Sequence, residues 1–365
     1  MSFSRFDHQC MATALRLAAK GLYSTHPNPR VGCVIADRET ILGRGWHEYA
    51  GGAHAEISAM QDAGDTARGN TAYITLEPCS HHGRTPPCTE ALLGAGIARI
   101  VVASTDPNPA VNGQGLERLR DAGVTVETGL MGSEAESLNP GFFMRMRQGR
   151  PWVRVKSAIS LDGKTALDNG DSKWISNEYS RCDVQKWRAR SSAVLTGIGT
   201  VLTDNPAMNA RLDGLRRQPL RVIADSQWRT PADSRILADP ATVVIAGSRD
   251  AAIPQELQAT GAKCLALPVI AGRIDLGSLL GRLAEMEVNE IQVEAGARLC
   301  GALLKERLVD ELLIYQASVL LGDGGQGPFA FGPLESMDER THLKLQETRS
   351  LGNDVRLRLV PEYRN

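Results

Sequence analysis

No stretch of this 365-residue chain stays apolar long enough to span a bilayer, and the opening Met1-Ser2-Phe3-Ser4-Arg5-Phe6-Asp7 has no apolar leader core. Charge of one sign is also missing, since 41 Lys and Arg against 42 Asp and Glu leave a formal net charge of −1. The broad basic field that supports sequence-independent nucleic-acid binding is therefore absent. Seven cysteines, an odd number without regular spacing, fit a reducing cytosol better than a disulfide framework. There is no low-complexity tract and no repeat of fixed period. The expectation is a cytoplasmic protein with neither a membrane nor a nucleic-acid partner. At this length two domains are expected, and 42% hydrophobic residues suffice for two cores.

What is present is chemically specific. His54-Ala55-Glu56 is followed by Pro78-Cys79 and then by Cys88. An imidazole, a carboxylate and two thiols in that order are the parts of a zinc-dependent deaminase. Three protein ligands, His54, Cys79 and Cys88, leave the fourth tetrahedral position of Zn²⁺ open, as a catalytic metal requires. Water at that position falls to a pKa of roughly 7. Glu56, two residues from the histidine, is then the catalytic residue that moves the proton to a ring nitrogen and departing amine. The deaminase pattern usually has Cys-x-x-Cys, whereas eight residues separate Cys79 from Cys88 here. That insert, Ser80-His81-His82-Gly83-Arg84-Thr85-Pro86-Pro87, is polar and turn-rich and reads as a substrate-facing loop. Buried structural thiols and a core histidine are the competing account, and the agreement of all four residues weighs against it.

Apolar periodicity gives a helix over 6–20, a loop at His26-Pro27-Asn28-Pro29, and a strand pair over 31–36 and 41–46. A helix over 54–63, strand 71–75, helix 89–94, strand 99–104, helix 116–122 and strand 124–127 follow. Alternation of this kind implies an α/β sandwich on a central sheet. The basic, Gly- and Pro-containing stretch 144–151 is taken as the boundary between domains 1–148 and 149–365. A second α/β pattern then starts: strand 152–158, a helix start at Ser176-Asn177-Glu178, and strands 193–196, 220–224, 242–246, 290–293 and 311–316. An antiparallel pair, 343–350 and 355–360, ends it.

In this half, two strands run into glycine-bearing helix starts, Thr196-Gly197-Ile198-Gly199-Thr200 and Glu294-Ala295-Gly296, with Gly301 beyond. Backbone N–H groups at such starts suit an anion, and a plain turn at a strand–helix junction is the alternative reading of each. Asp204-Asn205-Pro206 sets a turn after which Arg211 either pairs a phosphate or is a solvated charge, and Lys156 lies on a strand as either a substrate contact or an edge charge.

The chain resembles the bifunctional bacterial riboflavin-biosynthesis deaminase/reductase family nearly end to end. The likeness rests on His26-Pro27-Asn28-Pro29-Arg30-Val31-Gly32, His54-Ala55-Glu56 and the stretch from Glu77-Pro78-Cys79 through Cys88. It continues in Ser160-Leu161-Asp162-Gly163-Lys164, Lys173-Trp174-Ile175, Asp204-Asn205-Pro206 and Val293-Glu294-Ala295-Gly296. The long insert between the cysteines is a trait of that family. The resemblance implies a cytidine-deaminase-like α/β/α sandwich holding zinc, then a dihydrofolate-reductase-like α/β domain using NADPH. It implies deamination of a phosphorylated diaminopyrimidinone, then reduction of its ribosyl group to ribityl. Family cofactor contacts fall on Ala158, Trp174, Thr200, Asp204 and the turn Gly296, Ala297, Arg298, Leu299, Cys300, Gly301, Ala302. Family substrate contacts fall on Ser172, Arg188, Met208, Arg211 and Glu294, with Lys156 a further candidate and Arg188 and Arg211 suited to clamp phosphate. Asn205 stands where the family often has Asp, and Arg298 and Cys300 make the cofactor turn bulkier. A homo-oligomer is expected by family analogy. A nucleic-acid base deaminase shares the zinc pattern but needs a basic groove, and a zinc-stabilised binding module needs no Glu56.

With two separate sites, Glu56→Gln is expected to lower deamination on the order of 10²- to 10⁴-fold while reduction of the deaminated intermediate continues at its normal rate. Steady-state assays of each half-reaction on the same folded protein check this, and loss of both would refute independent sites.

Overall fold

Helix α1 (Arg5–Ala18) starts where the Ser4 hydroxyl accepts the Asp7 N–H at 3.1 Å and Asp7 accepts the Ser4 N–H at 2.7 Å. This reciprocal cap satisfies two of the donors that every helix start leaves open. Its buried stripe is Cys10, Met11, Ala14, Leu17 and Ala18. The computed structural model describes residues 3–80, 87–108 and 112–363, so residues 81–86 of the expected substrate-facing loop lie outside the described residues. By its internal contacts the chain divides into two compact units, Met1–Gly149 and Arg150–Asn365.

The first unit continues with β1 (Gly32–Ala36), β2 (Ile41–Trp46), α2 (Ala55–Ala63), β3 (Thr71–Ile74), α3 (Cys88–Gly94) and β4 (Arg99–Val102). α4 (Gln114–Asp121), β5 (Thr125–Thr128), α5 (Gly132–Leu138) and α6 (Pro140–Gln148) complete it. The strands order as β2-β1-β3-β4-β5, antiparallel at β2, β1 and β3 and parallel from β3 to β5. Ala55, Ala59, Leu92, Leu116 and Leu119 from α2, α3 and α4 cover Ile35, Ile74 and Ile100 on one face. Met11, Ala14 and Leu17 of α1 cover Val34, Tyr73 and Val101 on the other. The result is the expected three-layer sandwich. Small residues let the layers close, and a Cβ on Gly32 would sit 2.0 Å from the Ala14 carbonyl oxygen. The basic stretch around 144–151 is helical up to Gln148. Only there does Gly149, at φ 67°, stop α6 by donating to the Arg145 carbonyl at 3.0 Å.

The second unit contains β6 (Trp152–Ile159), α7 (Glu178–Arg190), β7 (Ala193–Gly197), α8 (Ile198–Asp204), β8 (Leu220–Ala224) and β9 (Val243–Ser248). Next come α9 (Gln255–Ala259), β10 (Lys263–Leu267), β11 (Val269–Ile270), β12 (Arg273–Ile274) and α10 (Leu276–Glu285). β13 (Glu290–Val293), α11 (Ala297–Lys305), β14 (Glu311–Gln316), β15 (His342–Leu351) and β16 (Asp354–Glu362) end it. Nine strands order as β10-β9-β8-β7-β13-β6-β14-β16-β15. Pairing is parallel from β10 to β14, and the β15–β16 hairpin joins antiparallel. β10 and α10 are additions to the sequence reading. α10 buries Leu276, Leu279, Leu280 and Leu283 and is capped by Asp275, whose carboxylate accepts the Ser278 N–H at 2.5 Å.

Under the β6–β14 part of the sheet lies a buried ionic cluster. Arg154 pairs with Glu311 at 2.6 Å and Glu290 at 3.3 Å, and Arg190 and Arg358 join the same two carboxylates at 2.9 and 2.6 Å. The guanidinium carbons of Arg154, Arg190, Arg356 and Arg358 stand between 4.5 and 5.5 Å from the centre of the Trp187 ring. Burial alone would raise the Glu311 carboxyl, but Arg154 and Arg358 outweigh it and hold it at about 2. Removing one partner leaves an uncompensated buried charge.

Glu311→Gln is therefore expected to cost about 3–5 kcal/mol, read from denaturant unfolding. Because the folded pKa is depressed, the native contribution is complete above pH 4.5, the ordinary value, and disappears as pH falls towards 2. The variant's acid-unfolding limb should be correspondingly flatter.

Candidate active sites

His54 is the N-cap of α2, in extended backbone, and Glu56 falls in the first helical turn with 3% of its surface exposed. Cys79 follows β3, and Cys88 opens α3. These element ends bring His54 Nδ1 to 3.1 Å from Cys88 Sγ and 3.6 Å from Cys79 Sγ, with all three ligand atoms within 4.8 Å of one another. Zn–N near 2.0 Å and Zn–S near 2.3 Å in a tetrahedron require N···S edges of about 3.6 Å. The donor set and its spacing fit zinc.

The electrostatics ask for a cation too. The Cys79 thiol is drawn down to about 4, first by the hydrogen bond from the Cys88 thiol and then, against burial, by His54. Cys88, the donor, is pushed up by that bond, and the separate hydrogen bond between His54 and Cys79 raises His54. Two thiols therefore share one negative charge, whereas a bound divalent ion ionises both. The Cys88 N–H also donates to Cys79 Sγ at 3.3 Å, orienting that ligand. Burial pushes the Glu56 carboxyl up to about 7, where one group both takes and gives a proton at neutral pH.

Two neighbours escaped the sequence reading of roles. His47, 3% exposed, packs edge-on against the His54 ring with centroids 5.6 Å apart. Its Nδ1 lies 2.9 Å from the Ala53 carbonyl and its Nε2 3.1 Å from the Asn28 amide nitrogen. Burial pushes its pKa down, so the neutral ring donates through Nδ1 and accepts through Nε2. Glu77, just before Pro78-Cys79, is buried and accepts three backbone N–H groups, from Asp106 at 3.1 Å, Gly113 at 3.0 Å and Gly115 at 3.1 Å. A Cβ on Gly115 would lie 2.5 Å from the Pro78 carbonyl oxygen, so the two loops meet backbone to backbone. Glu77 had a signal, its place in the motif; its partners some thirty residues away had none.

In the second unit the register fixes the chemistry. Val293 of β13 is level with Val155 of β6 and Leu195 of β7, so Glu294, Lys156 and Thr196 follow at one height. Glu294 receives Arg188 in a fork, Nε to Oε1 at 2.6 Å and Nη2 to Oε2 at 2.8 Å, and the Gln292 amide at 2.7 Å. Burial would raise Glu294, yet Arg188 outweighs it and holds the carboxyl at about 2. Burial lowers the Lys156 amine, with Glu294 opposing. Arg188 Nη1 also donates to the Asn209 carbonyl at 2.9 Å, and Nη2 lies 4.0 Å from the Met208 sulfur. That is at odds with Arg188 as a free phosphate clamp: two residues expected to hold substrate hold each other.

Thr200 lies in the first turn of α8, and Gly296 caps α11. Added Cβ atoms at Gly199 and Gly296 would meet nothing within 4 Å, and one at Gly197 would touch Leu299 at 3.7 Å, so both helix starts border one open crevice. Such a crevice at the carboxyl ends of parallel strands fits a dinucleotide. Ala297, Arg298 and Leu299 form the open first turn of α11. Cys300 and Gly301 are buried behind it, with the Cys300 N–H already on the Gly296 carbonyl at 3.3 Å, and Ala302 is half-buried. Ala158 and Ser172 are half-buried, Met208 is buried, and Arg211 is exposed, its N–H held by Gln185 at 2.9 Å. Asp204 pairs with Lys173 at 3.0 Å, and Trp174 is 74% exposed beneath the Arg181 guanidinium.

Two family models match: the RibD C-terminal domain over residues 151–357, and the cytidine and deoxycytidylate deaminase zinc-binding region over residues 4–104. The riboflavin biosynthesis protein RibD of Escherichia coli is 46% identical over 97% of this chain and 99% of its own length. The chain belongs to the RibD family. RibD of Bacillus amyloliquefaciens is 40% identical over 96% of this chain and 95% of its own. Acinetobacter baumannii RibD superposes with a TM-score of 0.92 at 44% identity, covering 98% of this chain and 99% of that one. The Thermotoga maritima diaminohydroxyphosphoribosylaminopyrimidine deaminase/5-amino-6-(5-phosphoribosylamino)uracil reductase gives 0.86 at 33% identity, covering 97% and 98%.

A strong chelator such as dipicolinate is expected to remove about one zinc per chain and abolish deamination while reduction persists. Cys88→Ala should bind well below that stoichiometry by atomic emission, which separates loss of the site from loss of fold.

Proposed function

We propose that the chain carries out two consecutive steps of riboflavin biosynthesis, in keeping with its membership of the RibD family. The unit Met1–Gly149 replaces the 2-amino group of a diaminopyrimidinone ribosyl phosphate by oxygen, and the unit Arg150–Asn365 reduces the ribosyl group to ribityl with NADPH. The observation that carries the reading is the open three-ligand cluster with a buried carboxyl of pKa about 7 beside it. His54, Cys79 and Cys88 would hold the zinc, which when bound would supply Lewis acidity and a water of pKa about 7. Glu56 takes one proton from the attacking water and passes it to the ring nitrogen, then takes the hydroxyl proton of the tetrahedral adduct and passes it to the amine, so that the C–N bond breaks, C=O forms and ammonia leaves as a neutral molecule. His47, fixed in one tautomer, holds the His54 ring at its angle.

In the reductase unit NADPH, when bound, would supply the hydride and water the accompanying proton, and the protein aligns the reactants at the sugar carbon. Gly296 to Leu299, with Thr200 across the crevice, would receive the pyrophosphate, and Trp174, Ala158 and Asp204 would border the rest of the cofactor. Arg188 keeps Glu294 ionised and fixed, so that Glu294 and Lys156 hold the sugar hydroxyls, with Ser172 and Met208 beside them. Arg211, exposed, meets the phosphate. Holding both reactants in place supplies on the order of 7–11 kcal/mol of the barrier. The protein works in the cytoplasm as a homo-oligomer on a small phosphorylated pyrimidine. Among the described residues no helix is long and apolar enough to cross a membrane.

The test is a mass spectrum of the product from the diaminopyrimidinone ribosyl phosphate and NADPH. Exchange of NH for O together with gain of two hydrogens is expected. The first change alone would overturn the reductase assignment, and an untouched substrate in zinc-loaded protein would overturn both.

A further inference from the structure

The turn Ser160-Leu161-Asp162-Gly163-Lys164 contributes no side chain to either site described above. It follows β6 directly, and Ser160 closes it: its N–H meets the Lys164 carbonyl at 2.8 Å, and its hydroxyl accepts the Lys164 N–H at 2.9 Å. Asp162 is exposed, yet both its oxygens are occupied. The Ser160 hydroxyl donates to it at 2.5 Å, the Leu321 N–H reaches both oxygens at 3.1 Å, and the Gly322 N–H donates at 2.8 Å. Those hydrogen bonds, Ser160 first, hold the carboxyl at about 2, ionised throughout the working range.

Leu321 and Gly322 belong to the strap that leaves β14. The strap meets the β6 turn at three further points: Leu161 N–H to Val319 carbonyl at 2.8 Å, Thr165 N–H to Gln326 carbonyl at 2.7 Å, and Gln326 N–H to Ala166 carbonyl at 2.9 Å. Contact is close enough that a Cβ on Gly325 would stand 2.8 Å from Lys164 Cγ and 2.9 Å from the Ala166 carbonyl oxygen. Farther along, the Ala330 N–H donates to the Ala297 carbonyl at 2.9 Å, and a Cβ on Gly301 would strike the Ala330 carbonyl oxygen at 2.3 Å. One strap thus joins the turn after β6 to the first turns of α11. The segment continuing from that β6 turn bears Ser172 and Trp174, and α11 bears the glycine-capped crevice.

We propose that Asp162 is a positioning residue for hydride transfer: through the Leu321 and Gly322 amides it locks the strap to the β6 turn, and so fixes the segment bearing Ser172 and Trp174 relative to the N-terminus of α11. The proposal rests on the reading of Arg150–Asn365 as an NADPH reductase. Alanine at this exposed position removes both acceptor oxygens from the Leu321 and Gly322 N–H groups and so undoes the lock. Misplacement of bound groups by about 1 Å can cost on the order of 10²-fold in rate.

The experiment compares full-length, zinc-loaded wild type with Asp162→Ala and Gly325→Ala, the second displacing the strap without touching the carboxylate. Hydrogen exchange, NADPH binding by fluorescence titration, and both half-reactions are measured on each. In both variants the amides of 319–330 should exchange faster, the NADPH Kd should rise, and the reductase kcat should fall about tenfold or more, with deamination and melting temperature unchanged. Faster exchange with NADPH Kd and reductase kcat within about twofold of wild type would overturn the proposal, since the lock would then be structural only. Parallel loss of deamination and melting temperature would overturn it as well. Wild type that fails to bind NADPH would overturn the reductase reading and the proposal with it, an outcome distinct from the other two.

Discussion

Parallel strand pairing is the constraint on which both units depend. A parallel pair cannot be closed by a tight turn, so each strand must be followed by a crossover, here mostly a helix, before the next begins. Strand carboxyl ends and helix amino ends therefore collect along one edge of the sheet, and that edge offers unpaired N–H groups and room for side chains. In the first unit it supplies Cys79 after β3 and the start of α3 at Cys88. In the second it supplies Glu294 after β13, Thr200 after β7, and Lys156 close to the end of β6. The chemistry differs, but the geometry that gathers it is the same.

The two sites solve opposite charge problems. Around His54, Cys79 and Cys88 the protein alone lets two thiols hold one negative charge between them, and a bound divalent cation is what would ionise both. Around Arg188 and Glu294 the charges already cancel in a forked pair, and the half-buried Lys156 is left beside a fixed carboxylate. The first arrangement waits for an ion to complete it. The second is complete before substrate arrives, as preorganised transfer of a hydride requires.

Much of this was legible in the sequence where chemistry or burial restricts the choice of residue. Zinc accepts few ligand types, so His54, Cys79 and Cys88 announce themselves, and the carboxylate two positions from the histidine completes the pattern. Strands 220–224, 290–293 and 311–316 have in the fold the bounds expected from the sequence, because each is a short run carrying β-branched or other large apolar residues between turn residues. β10 was missed since Lys263-Cys264-Leu265-Ala266-Leu267 is a short, half-exposed outer strand with only a faint alternation. α10 had a readable signal, leucines at 276, 279, 280 and 283 behind the Asp275 cap, that was passed over. Illegible in principle were the pairings across long separations. Nothing local tells that Arg188 belongs to Glu294, that Glu77 collects amides from Asp106, Gly113 and Gly115, or that Gly301 is small because Ala330 crosses it.

The cluster around Trp187 also governs how this protein can change over evolutionary time. Arg154, Arg190, Arg356 and Arg358 share one indole and are chained through Glu290, Glu311 and Glu347, with Asp183 on Arg356, so the worth of each depends on the others being present. A single replacement strands a buried charge, whereas replacing the whole set by apolar residues of matching volume need cost little. The positions are thus epistatically bound: the path from one stable arrangement to another runs through intermediates that fold poorly. Lineages are expected to inherit the cluster as a block while the solvent-facing helices beside it diverge freely.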